Sequence, residues 1–141
     1  MQTDVIKVFV GYDQVESVAW HTMVASIYRQ SSRPVAIIPV NLTNLKRIFN
    51  RARDPKQSNE FSFSRFLVPY LCNYDGYAIF FDCDMMIRTD ISEIFSVVEQ
   101  QPNKAVYVVK HTYEPRNDVK YLNNVQYRYP RKNWSSVVLW N

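Results

Sequence analysis

The sequence predicts an α/β fold, a sheet with helices on both faces, and three observations carry that expectation. Strand-like, helix-like and strand-like stretches follow one another between residues 5 and 40. A wholly apolar run, Tyr77, Ala78, Ile79, Phe80 and Phe81, sits in mid-chain. Strand-like runs return at 105–109 and 136–140 after another helical segment. A strand, a helix and a parallel strand require a right-handed crossover, and repeated alternation of this kind builds a layered α/β sheet.

Residues 5–10 read as the first strand, broken by Gly11, Tyr12 and Asp13. From 16 to 30 the spacing is helical, with Val15, Val18, Ala19, Met23, Ile27 and Tyr28 on one face. The stretch Ser31, Ser32, Arg33, Pro34 stops it, and 35–40 is a second strand. Leu42, Leu45, Ile48 and Phe49 indicate a short helix, and 51–59 is a polar connection. Residues 61–74 read as a helix with Phe63, Phe66, Leu67, Tyr70 and Leu71 inward, either kinked at Pro69 or starting there. A turn at 73–76 leads into the apolar run, which reads as a buried strand of a parallel sheet. Asp90 as N-cap and Glu93 three residues on form a capping box for a helix over 91–99. Residues 111–132 are polar, Tyr-rich and irregular, and 136–140 is the last strand.

With 141 residues, 47% of them hydrophobic, the chain suits one domain with a real core, 1–141. A net charge of +4 favours anionic ligands such as nucleotides without forming a nucleic-acid stripe. Gly11 and Gly76 are the two glycines, which excludes a Gly-rich phosphate loop or a dinucleotide fingerprint. Cys72 and Cys83 lie in apolar context and read as core thiols in a reducing compartment. The start of the chain does not read as a signal peptide, and no apolar run reaches the length of a membrane span. The expected location is the cytoplasm.

The chemistry centres on Asp82 and Asp84, which follow the apolar run at alternate positions. Two acids in apolar flanks are unfavourable unless something positive meets them. A strand end bearing Asp-x-Asp lets both carboxylates converge on one hard cation, leaving positions for water and phosphate oxygens. The competing reading is a strand end with two solvated acids. In α/β sheets ligands sit beyond the carboxyl ends of the strands. Gly11, Tyr12 and Asp13, then Asp82 and Asp84, then Lys110 and His111, all fall at such ends.

Three blocks in order carry a resemblance: Val8 to Asp13 before an amphipathic helix; Ser64-Arg-Phe-Leu-Val-Pro69 before Tyr77-Ala-Ile-Phe-Phe-Asp-Cys-Asp84; and Thr89-Asp-Ile-Ser-Glu-Ile-Phe95. Together they resemble glycosyltransferase family 8, whose GT-A fold is a Rossmann-like nucleotide-diphospho-sugar transferase sheet. The stretch from Asn133 to Asn141 is similar in place to that family's Asn-Ala-Gly strand, with Trp134, Ser135 and Ser136 departing from it. The resemblance implies a metal-dependent glycosyltransferase that uses a nucleotide-diphosphate sugar, expected to be a UDP-hexose, and a glycan or lipid-linked acceptor. It implies Mn²⁺ or Mg²⁺ on Asp82 and Asp84. Nucleotide binding would fall to Gly11, Tyr12, Asp13, Arg65 and Asp82, with Arg65 pairing with an aspartate or a diphosphate oxygen. His111, Trp134 and Ser135 would face the sugar or acceptor. The family's third metal ligand, a later histidine, would lie beyond residue 141, so the resemblance implies a fold incomplete at its C-terminus.

Tyr121, Tyr127, Arg128, Tyr129, Arg131 and Lys132 mix aromatic and basic character, suited to sugar rings and phosphate or to a solvated loop. Two rival functions remain at this level. One is a non-catalytic or truncated nucleotide-sugar binding module. The other is a haloacid dehalogenase-type phosphatase, whose nucleophile would be Asp82; Met86 in place of the expected Thr or Val, and the absence of a later Asp-Asp pair, count against it.

Overall fold

In the computed structural model residues 5–114, 119, 123, 125, 126 and 134–141 are described. One five-stranded sheet organises them, in the order β2-β1-β3-β5-β4. The strands are β1 (Ile6–Gly11), β2 (Val35–Val40), β3 (Ala78–Phe81), β4 (Val106–Val108) and β5 (Val137–Trp140). The helices are α1 (Ser17–Gln30), α2 (Leu42–Leu45), α3 (Val68–Leu71) and α4 (Ser96–Gln100). The fold is mixed α/β, as the alternation of elements predicts. The sheet is not wholly parallel, however. β1 runs parallel to β2 and β3, whereas β5 enters antiparallel between β3 and β4. An apolar run does not encode its direction, so this reversal is invisible to pattern alone.

β3 is central and buried at all four positions, as a strand covered on both faces must be. β2 is an edge strand, its residues alternating between half-buried and exposed until Val40. Pro39, which has no N–H for a ladder, stands on this edge. Both faces of the sheet are covered. On one face Phe61 stacks at 6.3 Å from Phe80 and reaches Gly11. On the other, α1 packs against β1 and buries Met23, Ser26 and Ile27.

Two helices present a different face from the one their apolar spacing predicts. In α1, Val18 and Tyr28 are exposed, as is Val15 just before it. Ser26 is buried instead, because its hydroxyl donates to Met23 O at 2.7 Å and accepts from Ile87 N at 2.9 Å. The expected 61–74 helix is two short pieces, a 3₁₀ turn Ser64–Leu67 followed by α3, with Pro69 in the first turn of α3. Phe66 and Tyr70 point outward, while Phe61, Ser64, Arg65 and Val68 are buried. That inward set is a clean i, i+3, i+4, i+7 stripe, but it holds an arginine and a serine, so hydrophobicity cannot select it. The 91–99 helix likewise divides into a 3₁₀ turn Ile91–Phe95 and α4. Asp90 caps it as expected, accepting from Ser92 N. Glu93 does not close a capping box; it accepts from the Thr89 hydroxyl.

Gly11 is fixed by packing. A Cβ there would lie 2.3 Å from Phe61 Cδ2, and that ring is buried in the core. Gly11→Ala is therefore expected to destabilise the fold by about 1–3 kcal/mol, the usual penalty for overpacking. Urea unfolding of the variant checks this; an unchanged midpoint would show that the Phe61 ring can move aside freely.

Candidate functional site

The site forms where β1 and β3 end and β5 begins. Asp82 follows the last residue of β3, and its amide donates to Ser136 O at 2.9 Å, extending the β3–β5 ladder by one step. Alternation along the strand puts the Asp82 side chain on the Phe80 face. There it meets Arg65, whose Nη1 lies 2.8 Å from Asp82 Oδ1. Both side chains are largely enclosed, at 7% and 15% exposure. Arg65 also donates through Nε to Phe61 O at 3.3 Å and through Nη1 to Ser135 O at 2.8 Å. Its guanidinium lies over the Phe61 and Phe80 rings at 5.3 and 5.1 Å, a stacking arrangement that suits a planar cation.

Asp82 Oδ1 is buried, with Arg65 Nη1 as its close cationic neighbour. Burial raises the Asp82 carboxyl above the ordinary aspartate value, Arg65 and Ser136 pull it down, and Asp84 pushes it up again. Asp84 is exposed. Cys83 points to the opposite side, its buried thiol 3.5 Å from Glu16 Oε2. Burial and then the Glu16 charge push that thiol well above its usual range. Glu16 is itself raised, first by burial and then by Asp84, Asp13 and Asp82, against the Cys83 hydrogen bond. Negative charge from β1 and β3 thus gathers at one strand edge. Glu16 is not among the candidates the sequence offers, and Ser136 enters there only as a departure from the Asn-Ala-Gly strand. The nearest signal for Glu16 is its place three residues after Asp13, in the turn that leads into α1.

The nucleotide candidates before α1 have structural work of their own. Asp13 caps the 3₁₀ turn Gln14–Glu16 by accepting from Val15 N at 3.1 Å. Its other oxygen accepts from Glu60 N at 3.0 Å, tying the 51–60 connection to the end of β1. Tyr12 packs edge-on against Trp20, with ring centroids 5.8 Å apart. Gly11 lies under Phe61. Ser135 is brought to Arg65, and the exposed Trp134 stacks at 6.0 Å on Phe66. His111 follows β4, two strands over from β3, on the order of 10 Å along the sheet at ordinary strand spacing. It makes none of the contacts that join Arg65, Asp82 and Ser135. Tyr121, Tyr127, Arg128, Tyr129, Arg131, Lys132 and Asn133 lie outside the described residues.

The donor set fits a particular kind of metal site. Among the described residues no group of three or more His, Cys, Asp or Glu is arranged to hold an ion. A pre-formed cage is therefore absent from that set. Asp82, enclosed beside Arg65, and Asp84, open to solvent, would supply two hard ligands. Such a pair suits Mg²⁺ or Mn²⁺ arriving with substrate phosphates, because Mg²⁺ is usually held by one or two carboxylates plus phosphate and water.

The chain is 42% identical over 137 residues to Protein CDI of Arabidopsis thaliana, covering 96% of this chain and 52% of that protein. It thus spans about half the length of the curated relative it matches. No family model matches it. Among solved structures the fold is similar to the apo structure of the WbbM bifunctional glycosyltransferase, with a TM-score of 0.58 at 17% identity, over 76% of this chain and 23% of that one. The chain therefore has a glycosyltransferase-like α/β fold. Among the described residues no helix is long and apolar enough to cross a membrane.

A pH series tests the electrostatics. Asp82 has a raised carboxyl, so the folded chain binds its proton more tightly than the unfolded chain does. Its effect on stability is then unfavourable once ionised, and is relieved as pH falls through the window above the ordinary aspartate value. Arg65→Met removes the charge that holds this carboxyl down and should destabilise by about 3–5 kcal/mol near neutral pH. The deficit should shrink toward pH 4 as Asp82 takes up its proton. A deficit that is constant across pH would mean that Arg65 matters through packing alone.

Proposed function

We propose that the chain binds a nucleotide-diphosphate sugar at the carboxyl edge of β1 and β3 and belongs to a metal-dependent hexosyltransferase of the family 8 type. UDP-hexose is the donor we favour, with a glycan or lipid-linked acceptor. The observation that carries this reading is Asp82: a carboxylate at the tip of the central strand, enclosed, oriented by Arg65, and followed by the open Asp84. The glycosyltransferase-like fold supports it at the level of architecture.

In this reading Arg65 opposes the effect of burial on Asp82 and fixes the direction of its carboxylate. Asp84 extends from the same turn into solvent. Together they would hold the divalent ion, which when bound neutralises the charge building on the departing diphosphate. Tyr12 lies at the neighbouring strand end, where a base would lie, and Trp134 and Ser135 border the side from which an acceptor would approach. The free thiols Cys72 and Cys83 are consistent with a reducing compartment such as the cytoplasm. Met86, in place of the expected Thr or Val, counts against the phosphatase alternative.

Calorimetry with UDP-hexoses and Mn²⁺ tests the proposal. Donor affinity should depend on the ion and be lost in Asp84→Asn, whose exposed side chain leaves the fold intact. Unchanged affinity in that variant would remove the metal role. Binding without any sugar transfer would move the chain to the class of nucleotide-sugar binding modules.

A further inference from the structure

We propose that a second cleft, on the α1 side of the sheet, is a binding site for a phosphate-type oxyanion. The cleft has a volume of ≈ 410 Å³ and is lined by Thr22, Ser26, Arg29, Gln30, Met86 and Arg88 among others, with no Asp or Glu in its lining. Arg65 reaches Asp82 from the opposite face, so this cleft is separate from the donor site and does not depend on it.

The two arginines are set relative to each other by one hydrogen bond. Ser26 Oγ accepts from Ile87 N at 2.9 Å. Arg29 lies three residues after Ser26, on the same face of α1, and Arg88 directly follows Ile87. The buried serine therefore pins the loop to the helix with both arginines at the mouth of one cleft. Neither has a carboxylate partner among the described residues. A position in the last turn of α1 accounts for Arg29 through the helix dipole, but it does not account for Arg88 beside it. Two guanidiniums lining one cleft gain most from a ligand with several anionic oxygens in one plane or tetrahedron, which their N–H forks match. Thr22 and Gln30 add neutral polar groups to the wall. A phosphate monoester has this chemistry, whether free in solution or exposed as a lipid headgroup.

The test uses the whole chain in EDTA, so that an ion-dependent donor site cannot bind phosphate. Inorganic phosphate is titrated by calorimetry, and vesicles of phosphatidylcholine with and without phosphatidic acid are tested by co-sedimentation. Saturable binding is expected, weakened about tenfold or more by Arg29→Gln and by Arg88→Gln, as for loss of a charge-assisted hydrogen bond, and unaltered by Asp84→Asn. Both arginines are exposed, so thermal melts of the variants should match the parent. Binding of free phosphate names a soluble ligand, and binding of phosphatidic acid vesicles alone names a lipid headgroup. Absence of saturable binding to either probe, or equal binding by the double variant, overturns the proposal.

Discussion

The structure depends on a buried charge pair. Arg65 and Asp82 sit where β3 ends, on a sheet face otherwise closed by Phe61 and Phe80. Neither charge could be enclosed alone, since an isolated ion loses far more hydration than the interior returns. Each also ties down backbone: Arg65 binds the carbonyls of Phe61 and Ser135, and the Asp82 amide binds Ser136 O. The 61–68 segment, the end of β3 and the start of β5 are therefore held to one point. The antiparallel entry of β5 makes this possible, because it brings the beginning of that strand to the same edge as the end of β3.

The same constraint explains the character of the candidate site. Arg65 offsets Asp82, yet Asp84, Glu16 and Asp13 crowd the adjoining edge, and burial with mutual repulsion raises Glu16. An edge built this way has a standing demand for positive charge. Asp13 meets part of that demand with backbone amides, whereas Asp84 remains open to solvent. A cation arriving with a diphosphate would complete what Arg65 begins. The Arg29–Arg88 cleft has the opposite polarity and lies on the other face, so the two sites would not compete for one ligand.

The sequence made some of this legible and hid the rest for physical reasons. β3 was plain because a strand covered on both faces must be apolar throughout, and the acids after it stood out against that run. The Asp90 cap was plain because capping is local. Hydrophobic spacing misses the inward faces of α1 and of residues 61–74 where a polar residue is buried on the strength of a distant partner: Ser26 by Ile87, Arg65 by Asp82 and Ser135. Hydrophobic spacing then preferred Val18, Tyr28, Phe66 and Tyr70, which are exposed. Asp13 was found as a strand-end residue, but its bond to Glu60 N spans 47 positions and leaves no local pattern. Gly11 ends β1, and its steric reason, the Phe61 ring, also lies far along the chain.

A double-mutant cycle on Arg65 and Asp82 tests this account most directly. If the pair is the point that holds β3, β5 and the 61–68 segment together, Arg65→Met and Asp82→Asn should each destabilise strongly, and the double variant should recover a large part of the summed loss. The coupling read from urea unfolding should reach several kcal/mol, since removing one partner leaves the other buried and uncompensated while removing both does not. Additive losses, with coupling near zero, would contradict the account by showing that the two charges are accommodated independently.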